Sequence, residues 1–383
     1  MKKDCHFYAL LAFCRACGFK KESAFTIAYA SQFVDDATIN YISIKEKPED
    51  IECDSIDNIP CFFNMATAHS YDRPKTYNYS AMINNTVAFH FVPGCKGDSF
   101  VKKLRCKENS IIIREILDKA IKEDNLVKFG IILHAYADTF SHQGFSGIPS
   151  KVNDLVDVDV NEAWLDLKNP IKKIINHGFL WIKKQYDNFK LIETLLKTFN
   201  LGTFLPPYGH GQALDYPDYP EIIWSYRYDA STSFSENLIS TKKINNKERF
   251  KNCFEKIITF LKDFLERHPQ HKDNSIRYND TKELFKTLTS DVSTKKRIKL
   301  WEKQIVSKNL FSEKDNITYD NKSWLKEAFE NYDKKIFNQR KIENAILTKT
   351  FPSSHWYQFY ISSKWYKTEF FKQCSKNGLK IPN

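Results

Sequence analysis

Residues 129–147 read FGIILHAYADTFSHQGFSG, and no other stretch restricts the fold as tightly. At about 100° per residue, His134, Asp138 and His142 fall on one stripe, one turn apart. Val127, Phe129, Ile131, Ile132, Leu133, Tyr136 and Phe140 cover most of the remaining circumference, the pattern of a helix buried on nearly every side. The stripe therefore faces protein, where an unpaired carboxylate costs several kcal/mol. Two arrangements compensate it. One is a divalent metal held by imidazole nitrogen and carboxylate oxygen, donors that zinc accepts; the other is a metal-free His-Asp-His hydrogen-bond ladder. Three groups in register favour the metal. Gly130, one rung before His134, leaves room for another chain or a substrate to approach.

Other candidate donors gather around that helix in the sequence. His6 lies on the first helical stretch, and Asp35 and Asp36 end the second. His69 stands in NMATAHSYD, His90 in AFHFVPG and His210 in PPYGHGQALDYPD. There is no H-E-x-x-H, P-loop, G-x-G-x-x-G or G-x-S-x-G. No Glu stands three before a His, which argues against a ferritin-like di-iron bundle, and no His-Asp dipeptide is present.

Helical periodicity dominates the 383 residues. Residues 5–17 predict an amphipathic first helix rather than a signal peptide, because Asp4, His6 and Arg15 interrupt a short apolar run. A second helix spans 22–38. Residues 40–108, punctuated by Pro and Gly, predict a loop-rich insert in which only TVAFHFV is extended. Asn109 and Ser110 cap a helix over IIIREILDKAIKE, and the motif helix runs from about Leu126 to Gln143. Helical patterns resume over 160–200, residues 201–224 are too rich in Pro and Gly for a helix, and Lys-rich helices fill the rest. The expected fold class is all-α: a multi-helix bundle with a buried metal site over 1–235, and a helical region over 240–383 that is either separate or packed on it.

The net charge of +11 admits nucleic acid, an anionic membrane or an acidic substrate, but its scattered lysines read first as solvated surface. Nine unevenly spaced cysteines fit a reduced compartment, with Cys14 and Cys17 as core thiols. No stretch reaches the 18 apolar residues of a membrane span. A cytoplasmic location, or export without an N-terminal signal peptide, is expected.

The order of these groups resembles the zinc-dependent phospholipase C family, an all-helical superfamily that includes the single-strand-specific zinc nucleases of fungi and plants. ASQFVDDA, FHFVPG, LHAYADTFSHQGFSG and YGHGQA with PDYP following look in particular like a bacterial family carrying the H-x3-D-x3-H helix. The resemblance covers roughly residues 1–230. It implies that Asp35, His69, His134 and Asp138 hold one zinc. It also implies that His142 helps hold a second, with His210 as its partner, and that His6 takes the place of an N-terminal histidine ligand. Asp35 is favoured over Asp36 as ligand, and Asp36 is the candidate general base. His90, as a ligand or a support for one, and Tyr136 are further candidates near the ligands or substrate. Two departures leave the third metal and the substrate open: secreted members ligate zinc through an N-terminal Trp, and their motif helix has a longer Asp-to-His interval.

What the resemblance implies is a zinc-dependent phosphoester hydrolase with two or three ions and a metal-activated water. The substrate would be a phospholipid or another phosphodiester. A nuclease acting on single strands and a metal-stabilised binding protein without catalysis are the alternatives. Aromatic segments such as YDRPKTYNYS and YPDYPEIIWSYRYD suit bases or lipid equally. The tail FPSSHWYQFYISSKWYKTEFFKQ reads either as a surface for a membrane interface or as an ordinary packing helix.

Overall fold

The computed structural model describes residues 1–68, 79–160, 208–228, 243–276, 280–333 and 341–381. The chain enters through a π-helical turn, Asp4–Ala9, that runs directly into α1 (Leu10–Ala16). Every residue from Asp4 to Ala16 is buried, so this first helix is not amphipathic. Arg15 lies inside because its Nε donates to Leu310 O at 2.7 Å and its Nη1 to Asp273 at 2.9 Å. α2 (Lys21–Asp36) follows, then β1 (Tyr41–Ile44), β2 (Asp54–Ile56) and β3 (Ile59–Phe63).

After the short helical turns Met82–Val87 and Ala88–His90 come α3 (Ile111–Ala120) and α4 (Leu126–Ser141). Asn125 caps α4, its side chain accepting from Lys128 N at 2.8 Å. Further along, the described residues include β4 (Leu155–Val160), β5 (Ile223–Tyr228), β6 (Ile244–Asn245), α5 (Asn246–Arg267), α6 (Lys282–Leu288), α7 (Thr294–Ser307), α8 (Ser323–Ala328), β7 (Lys341–Ala345) and α9 (His355–Lys376).

The all-α expectation is therefore corrected: two sheets accompany the helices. One has the order β2-β3-β1-β7, with β1 antiparallel to β3 and parallel to β7; the other has the order β4-β5-β6 and is antiparallel. The Pro-punctuated insert supplies three strands. β2 and β3 form a hairpin whose two-residue loop, Asp57 and Asn58, has φ of 52° and 63°, the left-handed pair that matches strand twist. Most of TVAFHFV, from Thr86 to His90, is helical and not extended, because burial of Val87, Ala88 and Phe89 against the core outweighs β-propensity. KIENA, expected to be helical, is strand β7 since it pairs with β1, Tyr41 opposite Lys341. Of the helical patterns expected over 160–200, residues 161–200 lie outside the described residues.

α4 is the axis, buried from Val127 to Ser141, and α2, α3, α5 and α9 pack around it. One hydrophobic core extends from Met1 to Leu379, and a smaller one surrounds β4 and β5. The C-terminal helices thus share the core of the N-terminal part. In α9 the aromatic side chains Trp356, Tyr357, Phe359, Tyr360, Tyr366 and Phe370 are buried, the behaviour of a packing helix. No helix among the described residues is long and apolar enough to cross a membrane, and none of the nine cysteines forms a disulfide.

Candidate metal centre

The close approach of α2 and α4 begins the site. A Cβ on Gly130 would stand 2.4 Å from Ile27 O and 2.8 Å from Ala30 Cβ, so the room it leaves is filled by α2 rather than by substrate. Asp35, in the last turn of α2, then lies with Oδ1 3.7 Å from His134 Nε2 and 3.8 Å from His90 Nδ1. His90 reaches in from its short helical turn, placing Nδ1 3.0 Å from Asp138 Oδ2 and 3.2 Å from His134 Nε2. His134 Nε2 is 3.3 Å from the same Asp138 oxygen. On the other side His6 Nε2 stands 3.1 Å from Asp138 Oδ1, its ring stacked on that of His134 with centroids 3.9 Å apart.

A second group adjoins the first. His142 follows the last turn of α4 and sets Nε2 2.9 Å from Asp218 Oδ1, while His210 Nε2 is 3.8 Å from Asp218 Oδ2. Asp218 closes the 3-10 turn Tyr216–Asp218. Leu214, at φ +53°, turns its carbonyl to accept from His210 Nδ1 at 2.5 Å, a conformation that side chains rarely adopt and that clusters at functional sites. The α-amino nitrogen of Met1 sits between the two groups, 2.6 Å from Asp138 and 3.1 Å from Asp218.

Tautomers follow from partners that can only accept. Thr67 O receives a hydrogen bond from His90 Nε2 at 3.0 Å, His90 O from His142 Nδ1 at 2.7 Å, and Leu214 O from His210 Nδ1. In each neutral ring the opposite nitrogen is then a bare lone pair, and each points at a carboxylate oxygen. Two such acceptors repel unless a proton or a cation lies between them. Backbone carbonyls bracing the outer nitrogens are what metal-binding histidines use. His134 has no such brace, its Nδ1 being buried without a partner among the described residues.

The charges of the site compensate one another. Burial would raise the carboxyl of Asp138, yet the Met1 ammonium and the imidazoles of His142, His134 and His6 hold it well below the usual range. Asp218 is likewise depressed against its burial, by Met1, His210 and Lys2. Burial lowers His6 and His210 to about 4, so both rings are neutral donors at pH 7. Burial would lower His90 too, but its bond to Asp138 raises it. The Met1 amine, despite burial, is raised to about 11 by Asp138 and Asp218.

Of the expected site residues, the structure brings together His6, Asp35, His134, Asp138, His142 and His210, and adds His90 among the donors. His69 lies outside the described residues. Asp36 turns away: it accepts from Tyr319 Oη at 2.7 Å and from Asn321 and Gln32 at 3.2 Å, and burial raises its carboxyl. Its expected role as general base is not carried by this geometry. Tyr136 is two residues from His134 and so on the opposite face of α4, bonded to Asn109 Oδ1 and packed on Phe260. Asp218 was not among the expected residues. Its sequence signal is PDYP, eight residues beyond His210, an acid without helical periodicity to place it. The Met1 amine carries no side-chain signal at all.

No curated protein and no solved structure matches the chain. A family model does match, over residues 1–374. The chain belongs to that family, DUF6765, a family of unknown function.

Proposed function

We propose that this centre binds two divalent metal ions, zinc by the chemistry of its donors, and that the protein is a metal-dependent phosphoester hydrolase. One observation carries the metal reading. Asp35 Oδ1, His90 Nδ1 and His134 Nε2 stand 3.2–3.8 Å from one another in all three pairs, and Asp138 Oδ2 lies 3.0 Å from the His90 and 3.3 Å from the His134 nitrogen. A tetrahedral ion with bonds of about 2.0–2.1 Å needs donors about 3.3 Å apart. His142, His210 and Asp218 form the second group, and Asp138 lies between the two.

Bound zinc supplies Lewis acidity toward phosphoryl oxygens and ionises water near neutral pH. The chain's own residues hold the donors in place and keep them neutral or anionic as ligation requires. The side chain of Asp35 is 31% exposed and that of His210 15%, against 0–1% for His134 and Asp138, so Asp35 and His210 are the more solvent-accessible of these donors. The phosphoester reading rests on the likeness of the donor order to the zinc phospholipases and nucleases.

Elemental analysis of the purified chain, with hydrolysis of a generic phosphodiester, phospholipid vesicles and single-stranded DNA, tests both halves. About two zinc per chain and hydrolysis of one of these substrates are expected, and Asp138→Asn should lose metal and reduce turnover by more than ~100-fold. A chain without metal sinks the reading; a zinc-loaded chain that hydrolyses none of them is a binding protein.

A further inference from the structure

α7 contributes no donor, yet its Arg297 is completely buried and fixed to two carboxylates. Nη1 donates to Asp4 Oδ2 at 2.6 Å, and Nη2 donates to Glu221 Oε2 at 2.5 Å. Nη2 also meets Val292 O at 2.5 Å and Ser290 O at 3.2 Å, so the guanidinium is pinned to its own helix start. Asp4 is two residues before His6, in the same π-helical turn. Glu221 is three residues after Asp218. The two segments have no backbone pairing of their own in the described residues. They meet through charged groups: Lys2 with Asp215 at 3.2 Å, the Met1 nitrogen with Asp218, and this guanidinium beneath both.

Three like-signed carboxylates, Asp35, Asp138 and Asp218, occupy the centre above, and the acid-bearing segments would separate if nothing held them. A planar fork that binds two carboxylates at once sets a distance that a point charge does not. We propose that Arg297 is a positioning residue of the metal centre, fixing the spacing between the segment that carries His6 and the segment that carries Asp218 through Asp4 and Glu221. This rests on the metal reading above.

The test uses the full chain and zinc alone. Affinity is measured by competition with a chromophoric chelator, beside the melting midpoints of zinc-free and zinc-loaded protein, for wild type, Arg297→Met, Arg297→Lys and Glu221→Gln. Expected is a 10–100-fold loss of affinity for one of the ions in Arg297→Met and Glu221→Gln, with a smaller gap between zinc-loaded and zinc-free midpoints. Arg297→Lys should recover only part of it, since one ammonium cannot span both acids. Should Arg297→Met fail to fold, Glu221→Gln, which keeps shape, carries the measurement. Unchanged affinity with both midpoints lowered equally means a purely structural ion pair and overturns the proposal. Full recovery by lysine also overturns it, because charge alone would suffice. A wild type that binds no zinc removes the metal reading and this inference together.

Discussion

Lys367 shows what a single buried charge does at some remove from the donors. Its ammonium, on α9, donates to Asn64 O at 2.6 Å and Ala66 O at 3.0 Å, and the next residue, Thr67, accepts from His90. No carboxylate pairs with it among the described residues, and burial lowers it from 10.5 to about 7. The unfolded chain keeps that proton up to about 10.5 and the folded chain releases it near 7, so between these values the unfolded state binds more protons. Stability should therefore rise with pH across that window. Denaturant midpoints of wild type and Lys367→Met between pH 6 and 10 should diverge by a few kcal/mol, and parallel curves would show that the lysine keeps its proton. That His134, Asp138 and His142 need compensation was readable in the sequence, because three ionisable groups share one line of an otherwise apolar helix. The place of His90 beside Asp138 was less readable, since it depends on Thr67 O, which belongs to another segment.

Among the elements, α2 and α4 define the centre through their separation. Gly130→Ala places a methyl 2.4 Å from Ile27 O, backbone that cannot swing aside, and should cost about 1–3 kcal/mol. On the proposed metal reading it should also weaken zinc binding, by pushing Asp35 away from His134. Chemical denaturation and chelator competition on the same variant test the two effects; a stable variant with wild-type affinity would mean the helices adjust freely. The boundaries of α4 matched its periodicity and its cap at Asn125. The strands did not declare themselves, although Asp57 and Asn58 between DSI and IPCFF are a hairpin signal. β7 had no such signal, because KIENA becomes a strand only by pairing with β1, some 300 residues away.

At the scale of the molecule, the common core makes one prediction. α5 to α9 bury their apolar faces against elements that carry the donors, so removal of metal should be felt throughout. Four tryptophans, Trp301, Trp324, Trp356 and Trp365, report on the C-terminal helices. Their fluorescence and the release of zinc to a dye should change in one coincident transition, at a midpoint that chelation lowers. Two separated transitions would mean that the C-terminal region folds alone. By itself the sequence determined that α4 is central and that His134, Asp138 and His142 share its inward line, because periodicity and burial are local properties of a helix. Only the tertiary structure decided that Asp35, His90, His210 and Asp218 converge there and that Arg297 bonds both Asp4, beside His6, and Glu221, beside Asp218. Those distances depend on which surfaces pack together, and no spacing along the chain encodes them.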